Sequence, residues 1–372
     1  MKIGIDARMY GDSVTGIGNY TKNLIDELLK IDFKNEYTIF LLPQNYDKFQ
    51  TNSKNVKKVK IDIPWYSWSE QIKLPIALIK EKIDLMHFPH FNVPILYPKK
   101  FVVTIHDITP KFFPGHKVKQ NPLRRIGYWL VFKLGITRAQ KVISVSNHTK
   151  QHLIKHFNIK EQKIEVVYQG LNKNLQNQSF YGIIDKLSDK FDIHKPFIFY
   201  VGVWREHKNL PNLVKAYKVL LEKFKQDISL VIGGKPDPEY PETLNLIKEL
   251  NLEQKIFMPG FISEDKLTFF YNQAEVFVLP SFNEGFGLVA IESISLGTPV
   301  VASKTTSLPE VLKGGALYFD PHSPQDIAEK INQVLSSKEL SKQLVNKAKQ
   351  VIKKYNWEIT AKQTLKIYEE VN

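Results

Sequence analysis

Two glutamates lie eight residues apart in the segment Pro280–Glu292, at Glu284 and Glu292, and Gly285 and Gly287 follow the first of them. Such a carboxylate pair suggests a glycoside hydrolase, whose two carboxyl groups lie about 5 to 9.5 Å apart. Eight helical steps of about 1.5 Å would instead separate these two by about 12 Å along the axis. The spacing therefore favours binding, with Glu284 on a loop and Glu292 inside a helix, both accepting hydrogen bonds from sugar hydroxyls.

The amides of residues 285–288 would stand at the start of that helix, where free N–H groups and the helix dipole favour an anion such as a diphosphate. Arg205 and Lys208 occupy a comparable place, between a strand that ends at Gly202 and a helix that opens at Asn209. Basic side chains oppose the dipole at a helix start, so an anion bound there would explain them. Taken alone, however, the two cations are more typical of an ordinary exposed loop.

A third segment, Thr15–Tyr20, is predicted as a glycine loop between the first strand and the first helix. Glycines in such a loop let backbone N–H groups approach a phosphate. A dinucleotide-binding fingerprint requires G-x-G-x-x-G, and Thr21 stands where its third glycine would be. These residues alone fit a phosphate-binding loop and an ordinary tight turn about equally well.

The elements that position these residues alternate between strand and helix in both halves of the chain. The strands are near-continuous apolar runs, which is typical of parallel strands buried on both faces. A polar stretch, residues 171–195, is the predicted linker. Two tandem α/β units predict two doubly wound parallel sheets that face each other across a cleft, with ligands at the carboxyl ends of the strands. The predicted strands are Lys2–Asp6, Tyr37–Leu42, Phe101–Ile105, Val142–Val145, Phe197–Val201, Ile228–Ile232, Val276–Leu279 and Val300–Ala302; the predicted helices are Tyr20–Lys30, Leu210–Phe224, Pro241–Leu250, Leu288–Leu296, Lys338–Tyr355 and Trp357–Val371.

Composition excludes several classes of protein. The 372 residues are 43% hydrophobic and 24% charged, as in an ordinary globular protein of two domains. The absence of cysteine excludes thiol nucleophiles, disulfides and cysteine-ligated zinc. The longest stretch without a charged residue, Leu85–Pro98, is shorter than the about 20 residues of a membrane-spanning helix. The first apolar run is also too short for a secretory signal, so a cytoplasmic location is expected.

Positive charge is concentrated in the first half of the chain. Residues 1–185 contribute +13 of the net charge of +14. This asymmetry indicates an anionic partner for that half, such as a membrane surface, a phosphorylated lipid or a nucleic acid. Within residues 117–141, an amphipathic helix suits a membrane interface, although its aromatic stripe could equally be core. The residues that suggest it are Lys117, Lys119, Arg124, Arg125 and Lys133, interleaved with Tyr128, Trp129, Leu130 and Phe132.

The strand ending in Pro280-Ser281, the pair Glu284 and Glu292, and the following Ser295–Ser303 resemble the retaining glycosyltransferases of family four, and in particular bacterial mannosyltransferase-like enzymes of polysaccharide and glycolipid synthesis. The resemblance spans the whole chain in order. It implies the GT-B architecture, with an N-terminal acceptor-binding domain over residues 1–185, completed by a crossing helix over 357–372, and a donor-binding domain over 186–356. Further matching segments are Thr15–Tyr20, Thr104–Asp107, Lys208–Asn209, Leu308–Glu310 and Gly315–Pro321.

The resemblance also implies roles for individual residues. One departure concerns Val203, which stands where the family commonly has an arginine after the glycine that matches Gly202; Arg205 is the candidate replacement. The roles are Gly16 beside the donor's distal phosphate, Lys208 on the diphosphate, Glu284 on the hydroxyls of the transferred sugar, Glu292 on the ribose hydroxyls, His106 beside the sugar at the reaction centre, and the amides of Gly285, Phe286, Gly287 and Leu288 on phosphate and sugar.

The implied reaction is transfer of a hexosyl group, with retention, from a GDP-mannose or UDP-hexose type donor to a glycan or lipid-linked acceptor. Lys208, Arg205 and helix N-termini would neutralise the leaving diphosphate, so no metal or other cofactor is expected. Asp237-Pro-Glu239 is the nearest approach to an Asp-x-Asp metal motif. Two alternatives stay open: a GT-B sugar-nucleotide epimerase, and a nucleic-acid-binding protein, although no aromatic-basic recognition module is present. The basic half would place the enzyme peripherally on the inner face of the cytoplasmic membrane.

Overall fold

The computed structural model describes residues 1–11, 15–171 and 196–371. These residues form two compact units, unit 1 (Met1–Gly170 with Tyr355–Asn372) and unit 2 (Leu171–Lys354). Apart from Leu171, the predicted linker and the predicted boundary at residue 185 lie outside the described residues. None of the described helices is both long and apolar enough to cross a membrane.

Each unit is built on a parallel sheet. Unit 1 has seven strands in the order β3-β2-β1-β4-β5-β6-β7, and unit 2 has six in the order β10-β9-β8-β11-β12-β13. The strand order reverses between β1 and β4 in unit 1 and between β8 and β11 in unit 2. Ligands of open α/β sheets bind outside the carboxyl ends of the strands at such a switch point. The predicted pair of Rossmann-like sheets is confirmed. The strands are β1 Lys2–Asp6, β2 Glu36–Leu41, β3 Val56–Lys60, β4 Leu85–Phe88, β5 Phe101–Ile105, β6 Lys141–Ser144, β7 Ile164–Val166, β8 Phe197–Val201, β9 Ser229–Gly233, β10 Ile256–Gly260, β11 Val276–Leu279, β12 Val300–Ser303 and β13 Ala316–Phe319.

Helices connect the strands in both units. Parallel strands need crossover connections of about a dozen residues or more, and a helix usually forms part of each connection. The α-helices are α1 Thr15–Ile31, α2 Pro43–Tyr46, α3 Trp68–Lys80, α4 Thr109–Phe112, α5 His116–Lys119, α6 Pro122–Arg138, α7 Asn147–Phe157, α8 Leu210–Glu222, α9 Glu242–Glu249, α10 Glu264–Gln273, α11 Leu288–Ser295, α12 Leu308–Leu312, α13 Pro324–Ser336, α14 Lys338–Ile352 and α15 Trp357–Val371.

The glycine segment near the N-terminus differs from its prediction. Thr15–Tyr20 forms the first turns of α1 and is not a loop before the helix, because α1 already begins at Thr15. Gly16 therefore lies in the first turn of the helix, where the amides have no intrahelical partner. Among the described residues, a Cβ at Gly16 would meet nothing within 4 Å.

The helix α15, last in the chain, completes the core of unit 1. Its Trp357 and Tyr368 pack in one hydrophobic cluster with Tyr20 and Leu24 of α1. His87 lies in the middle of the sheet, where its Nδ1 is 2.6 Å from the Tyr368 hydroxyl. The end of the chain therefore supplies part of the interior of the N-terminal unit.

Candidate active site

An ion pair joins the loops that follow the two strands at the switch point of unit 2. Lys208 ends a single 3-10 turn after β8, and Glu284 lies on the loop after β11. The Lys208 Nζ is 2.7 Å from Glu284 Oε1, and Ser281 Oγ donates to the same oxygen at 2.7 Å. Among the described residues, no hydrogen bond reaches Glu284 Oε2. One carboxylate oxygen is thus held by the protein, while the other keeps its capacity to accept.

Further hydrogen bonds fix the same two loops to each other. The amide of Phe282 donates to the carbonyl of His207 at 2.8 Å. Asn209, with a φ of +58°, precedes α8 and donates through Nδ2 to the carbonyls of Pro280 and Pro321. These bonds hold the backbone on both sides of Lys208, so its position relative to Glu284 is largely preset.

Arg205 lies near this pair but is exposed, and it makes no ion pair within the ranges that the structure describes. Burial, helped by the charges of Lys208 and Arg205, lowers the pKa of His207 to about 3. His207 is therefore neutral at neutral pH, and the positive charge of this loop resides on Arg205 and Lys208.

The start of α11 presents the second part of the site. Gly287 precedes this helix with a φ of +85°, and a Cβ there would lie 2.6 Å from a methyl carbon of Leu308. The positive φ favours glycine, and a Cβ would also require the Leu308 side chain to move. None of the hydrogen bonds of the described residues uses the amides of Gly285, Gly287 or Leu288 as donors. The helix start thus offers free N–H groups to an anion.

Glu292 lies within α11, as predicted from its place in the sequence, and the structure shows that its side chain is buried. The Tyr271 hydroxyl donates to its Oε2 at 3.0 Å. Burial and the neighbouring Glu292 carboxylate raise the pKa of Tyr271 well above its usual range, so the phenol stays protonated and remains a donor. A buried carboxylate with a fixed orientation is suited to bind hydroxyl groups.

His106 belongs to unit 1, directly after β5. Its Nε2 is 2.9 Å from the carbonyl of Pro89, and because a carbonyl only accepts, this nitrogen carries the proton. Its Nδ1 lies 3.3 Å from the side-chain amide nitrogen, Nε2, of Gln169. The His106 ring packs edge-on against the Tyr20 ring, with 4.7 Å between the ring centroids. Burial lowers the pKa of His106, which keeps the ring neutral.

The sequence matches two family models, one in each half of the chain. Residues 14–175 match the model of Glycosyltransferase Family 4, and residues 184–351 match that of Glycosyl transferases group 1. The chain belongs to glycosyltransferase family 4. The two matched ranges do not overlap and together take in most of the sequence.

Curated relatives agree with this assignment, and a solved structure shares the fold. The glycosyltransferase is 25% identical to an O-antigen chain mannosyltransferase B of Escherichia coli, over 95% of this chain and 96% of that protein. It is 33% identical to an uncharacterized glycosyltransferase of Methanocaldococcus jannaschii, but over only 61% of this chain and 59% of that relative. The fold matches that of Anabaena HepE, solved with UDP and glucose, with a TM-score of 0.77, 18% identity and complete coverage of both chains.

The structure of this family-4 glycosyltransferase brings several predicted site residues together. Lys208 and Glu284 are in contact, and the free amides of Gly285, Gly287 and Leu288 lie at the start of the helix that holds Glu292. Gly16 and His106 lie in unit 1. The roles of all these residues toward donor and acceptor remain predictions.

Other polar residues of the site were missed in the sequence. Ser281 carries a usable signal, because a serine directly after a buried strand and three residues before Glu284 can reach that carboxylate. Tyr271 carries none, since it lies on α10 and meets Glu292 only through the fold. The hydroxyl of Tyr200 and Nε1 of Trp204, both buried at the end of β8, have no hydrogen-bond partner among the described residues.

A second charged cluster that sequence analysis missed lies at the switch point of unit 1. Arg8 and Glu70 are fully buried, and their side chains are 2.6 Å apart. Arg8 also pairs with Asp6 at 2.7 Å, while Asn92 donates to both oxygens of Glu70. Each buried charge is compensated, as stability requires.

Proposed function

We propose that this glycosyltransferase moves a hexosyl group, with retention, from a nucleoside-diphosphate sugar to a glycan or lipid-linked acceptor in the synthesis of cell-surface polysaccharide or glycolipid. The observation that carries the proposal is the contact of Lys208 with Glu284 beside the free amides at the start of α11. A cation and free N–H groups at one sheet edge match the diphosphate of such a donor. The carboxylate matches the hydroxyls of its sugar.

Lys208 and Glu284 can each serve the donor without breaking their contact. An ammonium group has three N–H donors, and one of them suffices for Glu284, which leaves two for diphosphate oxygens. Oε2 of Glu284 would accept from hydroxyls of the transferred sugar. Glu292, buried deeper in α11, would accept from the ribose hydroxyls.

In the proposed reaction the bond between the anomeric carbon and the diphosphate oxygen breaks, and the acceptor oxygen bonds to the same face of the sugar. The acceptor proton passes to the leaving diphosphate. Lys208, Arg205 and the helix start stabilise the charge that develops on that diphosphate, which is electrostatic catalysis. We propose that no metal or cofactor takes part, and that Gly16 and His106 contribute from unit 1.

The donor is proposed to be of the GDP-mannose or UDP-hexose type. The mannosyltransferase relative and the HepE complex with UDP and glucose support these two choices. The experiment is a panel of nucleotide sugars and their nucleoside diphosphates, scored first by thermal stabilisation, because a bound ligand raises the melting temperature by mass action.

The best donor is then tested for transfer to a lipid-linked glycan in the presence of EDTA, and the anomeric configuration of the product is determined by NMR. Retention and full activity in EDTA are expected. Conversion of the donor to its epimer without acceptor would instead favour the epimerase alternative, and loss of activity in EDTA that Mg²⁺ or Mn²⁺ restores would contradict the metal-free mechanism.

We further propose that unit 1 docks on an anionic membrane through α6. Leu123 and Trp129 of this helix are 80% and 45% exposed, and Arg124 and Arg125 between them are also exposed. The helix contains no acidic residue. Exposed apolar and basic side chains on one helix are typical of binding at a membrane interface. This location would bring the enzyme to a lipid-linked acceptor from the cytoplasmic side.

A further inference from the structure

A cavity of about 500 Å³ opens beside α6 in unit 1. This volume falls in the range of about 300 to 1,000 Å³ that is usual for small-molecule sites. The walls come from α4, α5, α6 and the end of α7, and they are mainly apolar. The apolar lining includes Ile108, Val118, Ile126, Trp129, Phe132 and Phe157.

Two cations, Lys111 and Arg125, line the same cavity. The Nζ of Lys111 is 5.2 Å from the centre of the Phe157 ring, so the positive charge stands directly beside the apolar wall. Neither cation pairs with a carboxylate in the part of the chain that the structure describes, and no carboxylate is among the lining residues. The charge of the cavity is therefore positive and uncompensated, which favours an anionic ligand.

The mouth of the cavity extends the apolar surface outward. Ile126 is 62% exposed and Trp129 is 45% exposed, although both also line the cavity. An exposed apolar patch that continues into a cavity favours an elongated ligand that is partly buried. A compact polar anion would leave these walls in contact with water.

We infer that this cavity binds the hydrocarbon chain of an anionic amphiphile, an alkyl or isoprenyl phosphate ester, whose phosphate lies between Lys111 and Arg125. The inference rests on the proposed function and narrows its acceptor to a lipid-linked glycan built on a lipid phosphate. The cavity would hold the first part of the lipid chain, while the glycan stays in water.

The first experiment uses alkyl phosphates below their micellar concentration with the full chain and neither vesicles nor donor. Binding is followed by calorimetry and by the fluorescence of Trp129, with a Trp129→Phe variant to assign the signal. Affinity is expected to rise roughly three- to fourfold per added methylene from octyl to dodecyl phosphate, until the cavity is filled. Dodecyl phosphate should bind at least tenfold more tightly than dodecyl maltoside, and inorganic phosphate at least 100-fold more weakly.

Variants distinguish the site for the hydrocarbon chain from the two cations that would bind the phosphate. Val118→Trp fills the cavity, and Ile126→Asp places a carboxylate at its exposed mouth without disturbing buried residues; each should weaken dodecyl phosphate binding more than tenfold. Lys111→Ala with Arg125→Ala should remove the preference for phosphate over maltoside. Lys54→Ala with Lys80→Ala removes the same charge elsewhere in unit 1 and should leave both affinities unchanged.

Three results would overturn the inference: equal affinity for dodecyl phosphate and dodecyl maltoside, equal affinity for inorganic and dodecyl phosphate, or binding that neither Val118→Trp nor Ile126→Asp weakens. Transfer activity is measured separately. An enzyme that transfers sugar but binds no alkyl phosphate would contradict this inference alone, whereas alkyl phosphate binding without transfer would contradict the proposed function alone.

Discussion

Lys208 Nζ and Glu284 Oε1 lie 2.7 Å apart, with side chains only 17% and 12% exposed. A change at either residue therefore also leaves its partner without a counter-charge in a partly shielded place. Effects of single substitutions on the two should be non-additive, because the residues are in direct contact. Lys208 and Glu284 therefore act on a bound donor as one group.

We predict that Lys208→Ala weakens the binding of nucleoside diphosphate more than that of nucleoside. Removing one charge-assisted contact costs roughly 1.5–3 kcal/mol, which corresponds to roughly 10- to 150-fold in affinity. Calorimetric titration of both ligands measures the difference, with Lys218→Ala as the control because Lys218 belongs to a surface pair with Glu222. Equal losses for the two ligands would indicate a general structural defect.

Substitutions of Glu284 and Glu292 should affect different steps, turnover for the first and nucleotide binding for the second. Glu284→Gln is expected to act mainly on turnover, and Glu292→Gln to weaken the binding of nucleoside diphosphate, because the latter carboxylate is assigned to the ribose. Tyr271→Phe, which removes the hydroxyl that orients Glu292, should have a smaller effect in the same direction. If nucleoside diphosphate binds Glu292→Gln as tightly as the unaltered protein, the ribose assignment is wrong.

The stability of unit 1 should fall in acid because of His87. Burial and the neighbouring His106 lower the pKa of His87 to about 3, whereas the unfolded chain titrates near 6.5. Between these values the unfolded state binds a proton that the folded state does not. This group's contribution is therefore complete above about pH 6.5 and is lost by roughly 1.4 kcal/mol per unit as the pH falls further.

Denaturant unfolding at pH 7.5 and 5.5 measures this loss. His87→Gln should be less stable than the unaltered protein at pH 7.5 but should show a smaller difference between the two pH values. The exposed His322→Gln in unit 2 is the control. An unchanged pH dependence in His87→Gln would exclude His87 as a source of the acid sensitivity.

The buried cluster of unit 1 gives a prediction on stability alone. Glu70→Ala leaves part of the charge of Arg8 uncompensated in the interior and should cost about 3–5 kcal/mol. Glu81→Ala breaks the exposed pair with Lys57 and should cost about 0–1 kcal/mol. Denaturant midpoints compare the two, and similar losses would show that burial does not determine the strength of the Arg8–Glu70 contact.

Membrane docking is tested by sedimentation with vesicles. Binding should require acidic lipid and fall steeply with added salt, since each basic residue at the surface contributes about 1 kcal/mol. Arg124→Glu with Arg125→Glu should weaken it. Protein that stays in the supernatant with acidic vesicles at low salt would contradict docking, and salt-sensitive retention on DNA instead would favour the nucleic-acid alternative for the basic half.

For three strands that lead to the candidate site, the sequence pattern predicted the first and last residue correctly. Lys2–Asp6, Phe197–Val201 and Val276–Leu279 are as predicted, because central parallel strands are continuous apolar runs with sharp polar ends. The edge strand Val56–Lys60 was missed: three of its five residues are lysine, and an edge strand can remain partly in water.

The candidate site was predictable only where its parts are close in sequence. The spacing of Glu284 and Gly287 in the sequence is enough to identify them as candidates. The contact of Lys208 with Glu284, in contrast, joins residues 76 positions apart. Arg8 and Glu70 meet across 62 positions and show no pattern in the sequence. Such contacts depend on the order of strands in the sheet, which local residue types do not encode.

The packing of α15 against α1 has a consequence for synthesis. Unit 2 lies between these two parts of unit 1 in the sequence, so the surface that receives Trp357 and Tyr368 stays uncovered while unit 2 is translated. At about 5–20 residues per second this interval is on the order of 10 to 40 s. The nascent chain therefore contains all of unit 2 before unit 1 is complete, and a chain that terminates before α15 would leave the core of unit 1 without Trp357 and Tyr368.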